Sequence, residues 1–182
     1  MEPARPSDRL FFAVFPDEAA AADIELRAQA LRAAYGLRGK PLLRDRFHVT
    51  LHHLGDYAGV PDALVAQARQ AADAVAVAPF QAVFDQAGSF SGRGVRPCVL
   101  RGGEGLDALR GLQQALGRQM QGAGLARQVE HRFEPHVTLL YDARAVPMQP
   151  TTPVGWQVTH FALVHSLLGK TEYRMLGHWP LG

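Results

Sequence analysis

Apolar and polar positions in this chain follow two periods, and each change of period marks a change of element. Leu10-Phe11-Phe12-Ala13-Val14-Phe15 is a continuous aromatic and branched run closed by Pro16, which predicts a buried strand. Asp17 offers a cap to an alanine-rich stretch reaching about Ala34, where Ile24, Ala28 and Leu31 recur at helical spacing until Gly36 ends the pattern. Alternation returns from Arg46 to Leu54 and stops at Gly55-Asp56. A second helical period then runs from Pro61 to Val75 through Leu64, Val65, Ala68 and Ala72. Phe80 to Phe84 and Val95 to Leu100 read as strands joined through the glycine- and serine-containing segment Gly88 to Gly94. Leu106, Leu109, Leu112 and Leu116 place a helix over Leu106 to Met120, ended by Gly122 to Gly124. Phe133 to Tyr141 reads as a strand, the proline-bearing stretch Pro147 to Pro153 as an ordered surface loop, and the segments near Trp156 to Ser166 and Tyr173 to Trp179 as further strands.

Helices that interrupt short strands without strict alternation argue for an α+β fold with mainly antiparallel sheets. An internal echo sharpens this. His48-Val49-Thr50-Leu51 and His136-Val137-Thr138-Leu139 are identical tetrapeptides, each in a predicted strand. Two lobes related by a pseudo-twofold axis would bring these strands together across a central cleft, with the helices outside. At 182 residues the chain suits one such two-lobed domain over its whole length, with residues 1–8 as a flexible tail.

Composition narrows the class without naming a chemistry. An apolar fraction of 47% with 20% charged residues is that of an ordinary globular protein. Nineteen Lys and Arg against seventeen Asp and Glu leave a net charge of +2, too small to grip nucleic acid by field alone. Cys98 is the single cysteine, which excludes an internal disulfide or a thiolate zinc site and fits a reducing cytoplasm. The run Leu10 to Phe15 is too short for a signal-peptide core or a membrane span, so no membrane partner is expected.

Side chains at i and i+2 of a strand share a face, so His48 projects with Thr50, and His136 with Thr138. Facing patches of this kind hold two imidazoles and two hydroxyls, an inventory suited to phosphoryl transfer. Imidazole is the side chain whose ordinary pKa serves both proton donation and proton removal near neutrality. The hydroxyls can donate to non-bridging phosphate oxygens. From strand geometry alone, either histidine can be the acid.

The residues that carry this chemistry resemble a known family, the two-histidine phosphoesterases, and within it the bacterial RNA 2′,3′-cyclic phosphodiesterases also called 2′-5′ RNA ligases, or LigT-like proteins. Arg9-Leu10-Phe11-Phe12-Ala13 is similar to the family's opening strand, Phe47-His48-Val49-Thr50-Leu51-His52-His53-Leu54-Gly55 to its first motif, and Phe133-Glu134-Pro135-His136-Val137-Thr138-Leu139-Leu140 to its second. His165-Ser166 and Tyr173-Arg174-Met175-Leu176 resemble its closing strands. The resemblance implies a bilobal fold, no cofactor and no metal, and hydrolysis of an RNA 2′,3′-cyclic phosphate end to a 2′-phosphate, with 2′-5′ ligation as the reverse type of reaction. It implies His48 as proton donor to the departing 3′ oxygen and His136 as proton acceptor from water. Many members carry an arginine where this chain has Tyr141, so phosphate charge must be met otherwise: by His52 on the same predicted face as His48 and Thr50, or by Arg46, Arg93, Arg96 or Arg132. Tyr141 is open to stacking on a base, to donating its hydroxyl to phosphate, or to plain strand packing.

Other readings stay beside this one. The cleft could bind a nucleotide or RNA end without turnover, or could hydrolyse small cyclic nucleotides or 2′-5′ linkages with the same residues. Zinc on His48, His52, His53 and His136 is disfavoured, because strict alternation puts His53 on the face opposite His48 and His52. His131, His160, His165 and His178 read as packed or solvated, Cys98 as a small core residue, and Gly102 to Gly105 as a turn lacking a phosphate-loop signature. The expected partner is RNA ending in a 2′,3′-cyclic phosphate, or a related nucleotide, bound by a monomer.

Overall fold

The computed structural model describes residues 2–182. Eight strands and three long helices follow in the order β1 (Asp8–Val14), α1 (Glu18–Tyr35), β2 (Val49–Tyr57), α2 (Asp62–Asp73), β3 (Phe80–Ser89), β4 (Arg96–Arg101), α3 (Asp107–Gly122), β5 (Val137–Asp142), β6 (Gln149–Val158), β7 (His160–Leu167) and β8 (Glu172–Pro180). They form two four-stranded antiparallel sheets, ordered β2-β1-β7-β8 and β5-β4-β3-β6. The α+β architecture with two equivalent lobes is therefore as expected.

Each sheet has the motif strand, β2 or β5, at one edge. The lobes are joined through a shared core rather than hinged side by side. Helix α1 starts where the Asp17 carboxylate accepts the Ala20 N–H at 2.8 Å, a cap contributing about 1 kcal/mol. It leaves the first sheet and packs on β5 and β6 of the second. Its buried face is Ala20, Ala21, Ile24 and Ala28, small enough for close approach. Helices α2 and α3 pack on each other, α2 also against β8 and α3 against β3 and β2. Phe12, Phe161 and Trp179 of the first sheet and Phe84 and Trp156 of the second belong to one continuous core, in which Cys98 is buried as a small packing residue.

Several boundaries differ from those expected. Pro147 to Pro153 is not a free loop. From Gln149 it is the first half of β6, paired with β3 up to Ala87. Because β6 is an edge strand, Pro150 and Pro153 need not donate to a second neighbour. The predicted strand from Phe133 begins only at Val137, and that from Arg46 only at Val49 after a tight turn at Arg44–Arg46, so both histidines sit immediately before their strands. Ser7 and Asp8, assigned above to a tail, are held: the Ser7 N–H donates to the Tyr57 carbonyl at 2.9 Å, and Asp8 opens β1. Met1 lies outside the described residues. No helix is long and apolar enough to cross a membrane, among the described residues.

Candidate active site

The repeated tetrapeptide folds the same way twice, and its most consequential feature is one residue too many. In β2, Thr50 stands opposite Ala13 and His52 opposite Phe12, leaving Leu51 unpaired. In β5, Thr138 stands opposite Val99 and Leu140 opposite Cys98, leaving Leu139 unpaired. A bulge of this kind reverses the alternation beyond it, so the residue three past each threonine returns to the threonine's face. In the first lobe that residue is His53, in the second Tyr141. Both line one cleft of about 480 Å³ together with His48, Thr50, His136 and Thr138. The cleft therefore gathers every expected site residue except His52.

His52 is the correction. The bulge at Leu51 turns it away from the cleft and into the core, where it is only 1% exposed. Its Nε2–H donates to the Gln113 carbonyl of α3 at 2.8 Å, and its Nδ1 accepts the Glu130 N–H at 3.0 Å. Gly117 makes room for the ring, since a Cβ there would sit 3.3 Å from His52 Cε1. His53, expected on the far face, takes the cleft position instead. Of the loose histidines, His165 is buried with its Nε2 2.6 Å from Asp8 Oδ1, and the rings of His160 and His178 meet at a 34° tilt with centroids 4.2 Å apart.

Each motif histidine is anchored alike. The Nδ1–H of His48 donates to the Arg46 carbonyl and that of His136 to the Glu134 carbonyl, both two residues back and both at 2.7 Å. This fixes the ring and its tautomer, leaving Nε2 as the reactive nitrogen. His48 Nε2 is 3.1 Å from Thr50 Oγ1. Aromatic rings surround His48, with centroids 5.1 Å away for Phe11, 5.8 Å for Phe15 and 5.8 Å for Tyr173. Phe90 meets His136 edge-on at 4.8 Å. Burial among these rings lowers the pKa of both imidazoles below 6.5, opposed in each case by the carbonyl hydrogen bond, and His48 is lowered further by repulsion from His136.

Of the arginines named as phosphate partners, Arg46 alone lines the cleft; Arg93, Arg96 and Arg132 do not. Arg9, Phe11 and Tyr173 line it without having been singled out. They arrive from strands β1 and β8, and only the sheet order β2-β1-β7-β8 brings them beside β2. His53 had a local signal, because it occupies the position in the first motif that Tyr141 occupies in the second.

Two equivalent lobes, each presenting a His-x-Thr from its edge strand to a shared cleft, define a two-histidine phosphoesterase. Residues 15–170 match the family model described as the 2′-5′ RNA ligase superfamily, and the chain belongs to that superfamily. It is similar to the crystal structure of E. coli LigT in apo form, with 28% identity, 97% of this chain and 99% of that chain covered, and a TM-score of 0.75. The crystal structure of TT0787 of Thermus thermophilus is 28% identical over 95% of this chain and 97% of its own, with a TM-score of 0.73. The structure of E. coli LigT complexed with 3′-AMP is 27% identical over 97% of this chain and 99% of its own, with a TM-score of 0.70. No curated protein sequence matches the chain.

Proposed function

We infer that the protein hydrolyses RNA 2′,3′-cyclic phosphate ends to 2′-phosphates by two-histidine acid/base catalysis that needs no metal. The observation carrying this reading is the twin anchoring of His48 and His136 through Nδ1, which leaves two Nε2 atoms for one cleft that also holds Thr50 and Thr138. His136 Nε2 takes a proton from water as its oxygen bonds to phosphorus. The bond from phosphorus to the 3′ oxygen breaks, and His48 gives that oxygen its proton. Thr50 and Thr138 donate hydrogen bonds to the non-bridging oxygens, where charge builds in the transition state. With the 5′-hydroxyl of a second RNA end in place of water, the same ring opening leaves a 2′-5′ phosphodiester, which is ligation. E. coli LigT has been crystallised with 3′-AMP and with phosphate, which supports a nucleotide phosphate as the ligand here.

The test is product analysis of a short RNA ending in a 2′,3′-cyclic phosphate, with excess chelator, using wild type, His48→Ala and His136→Ala. A 2′-phosphate from wild type, with each variant slower by at least about 100-fold, is the expected result. Wild type that binds 3′-AMP but releases no product would instead assign the cleft to a binding module.

A further inference from the structure

We propose that Arg46 is the phosphate-binding cation of this cleft and replaces the positive charge that Tyr141 does not supply. The proposal rests on the reading of the cleft as a phosphodiesterase site. Besides the two motif histidines, three basic side chains line the cleft: Arg9, Arg46 and His53. Asp56 holds two of them. Arg9 forms a bidentate pair with it at 2.7 and 2.8 Å, and His53 Nε2 lies 3.1 Å from the same carboxylate. Arg101, which acts on His136 from outside the cleft, is held by Glu134 at 2.6 Å. Among the described residues no carboxylate pairs with Arg46.

Arg46 is instead positioned by its backbone and by an aromatic face. Its carbonyl is the acceptor that fixes His48, so the guanidinium is tied to the same short segment as the reacting imidazole. Its guanidinium carbon lies 3.6 Å above the centre of the Tyr173 ring. Stacking of this sort orients the planar fork while leaving its N–H edge free to take two phosphate oxygens. Tyr173 also packs edge-on against Phe11, another cleft residue, so the platform is itself braced. A substrate arriving as an anion meets one uncommitted, permanently charged group beside His48. That group can hold the phosphate beside His48, and the bound anion offsets the repulsion that the Arg46 charge exerts on the protonated imidazole.

The experiment compares Arg46→Gln, Arg46→Lys, Tyr173→Leu and a control, Arg44→Gln, whose native side chain pairs with Glu25 away from the cleft. Two readouts are taken: calorimetric binding of 3′-AMP against adenosine, and kcat/KM on the cyclic-phosphate RNA. Arg46→Gln is expected to weaken 3′-AMP by about 10- to 100-fold while leaving adenosine within twofold, a difference that a general loosening of the cleft would not produce. Arg46→Lys should recover only part of the loss, because a point charge cannot fork, and Tyr173→Leu should lose part of it because the fork is no longer oriented. The control should match wild type. Equal affinity of wild type and Arg46→Gln for 3′-AMP overturns the proposal whether or not the RNA is cleaved. Normal 3′-AMP discrimination with no cleavage by wild type overturns the phosphodiesterase reading and leaves Arg46 as the anion anchor.

Discussion

At the scale of single residues, the environment of the two histidines dictates a pH signature. Burial holds both imidazoles below their ordinary value of 6.5 in the free protein. The base must be neutral and the acid protonated, so both limbs of the kcat/KM profile fall on the acid side of 6.5. Once a phosphate anion is bound, its charge favours imidazolium, and the alkaline limb of kcat moves to higher pH. Rate measurements on the cyclic-phosphate RNA from about pH 4.5 to about pH 9 should thus give a kcat/KM maximum below pH 6.5 and a kcat maximum at higher pH than that of kcat/KM. A kcat/KM that keeps rising to the alkaline end of that range would contradict the assigned pair. Thr50→Val tests the neighbouring hydroxyl. It removes the partner of His48 Nε2 and a phosphate donor at nearly constant volume, so kcat should fall about tenfold with Tm little changed.

The element that decides which side chains meet substrate is the bulge, and its consequences reach the opposite lobe. By turning inward, His52 ties β2 to α3 and to the segment before the second motif, since Glu130 stands between the end of α3 and Glu134, whose carbonyl holds His136. His52→Leu keeps the bulk but strands the Glu130 N–H and removes the second donor to the Gln113 carbonyl. It should cost about 2–4 kcal/mol, or roughly 5–15 °C in Tm, and raise the barrier for catalysis although it never touches substrate. The segment between α1 and β2 is set by a comparable device. Asp142 accepts the N–H groups of Arg38 and Gly39 at 2.6 and 2.8 Å, and Gly39 lies so close to the Tyr141 carbonyl that a Cβ would overlap it. Gly39→Ala should displace Tyr141, visible as a raised KM and a lowered Tm. These details explain what was legible in the sequence. The tetrapeptide repeat revealed both histidines and both threonines because i and i+2 precede the extra residue, whereas alternation carried past it assigned His52 and His53 to the wrong faces. Tyr141 came from the family pattern and not from alternation, which would have pointed it away. Nothing local marks Leu51 or Leu139 as unpaired, because the mismatch exists only against β1 and β4. Arg9, Phe11 and Tyr173 were hidden for a similar reason: their role depends on strand order.

For the whole molecule, the same burial that tunes the site makes acid stability fall in two separate stages. His48, His52, His136 and His160 all have lowered pKa values, each chiefly because burial disfavours the charged ring. The unfolded chain takes up protons at about 6.5 that the folded protein refuses, so stability is full above that pH and declines as pH falls below it. Carboxylates act lower down. Asp56 is brought to about 2 mainly by the hydrogen bonds from Arg9, Asp8 is lowered first by Ser7 and then by His165, and Asp142 by the Gly39 and Arg144 N–H groups. Their contribution is present above 3.8 and is lost as pH falls through the folded values. Because two of these four histidines are the cleft pair, the first stage should be weakened by changes in the cleft without disturbing the second. Thermal unfolding followed from about pH 8 to about pH 2 should show Tm falling first below about pH 6.5 and again below about pH 4. His48→Gln with His136→Gln should make only the upper stage shallower, His52 and His160 supplying what is left of it, because a neutral side chain cannot draw a proton in the unfolded state. If that double variant lost stability below pH 6.5 as steeply as wild type, the burial of the two catalytic imidazoles in neutral form would be wrong, and the acid-side kcat/KM maximum would have no physical basis.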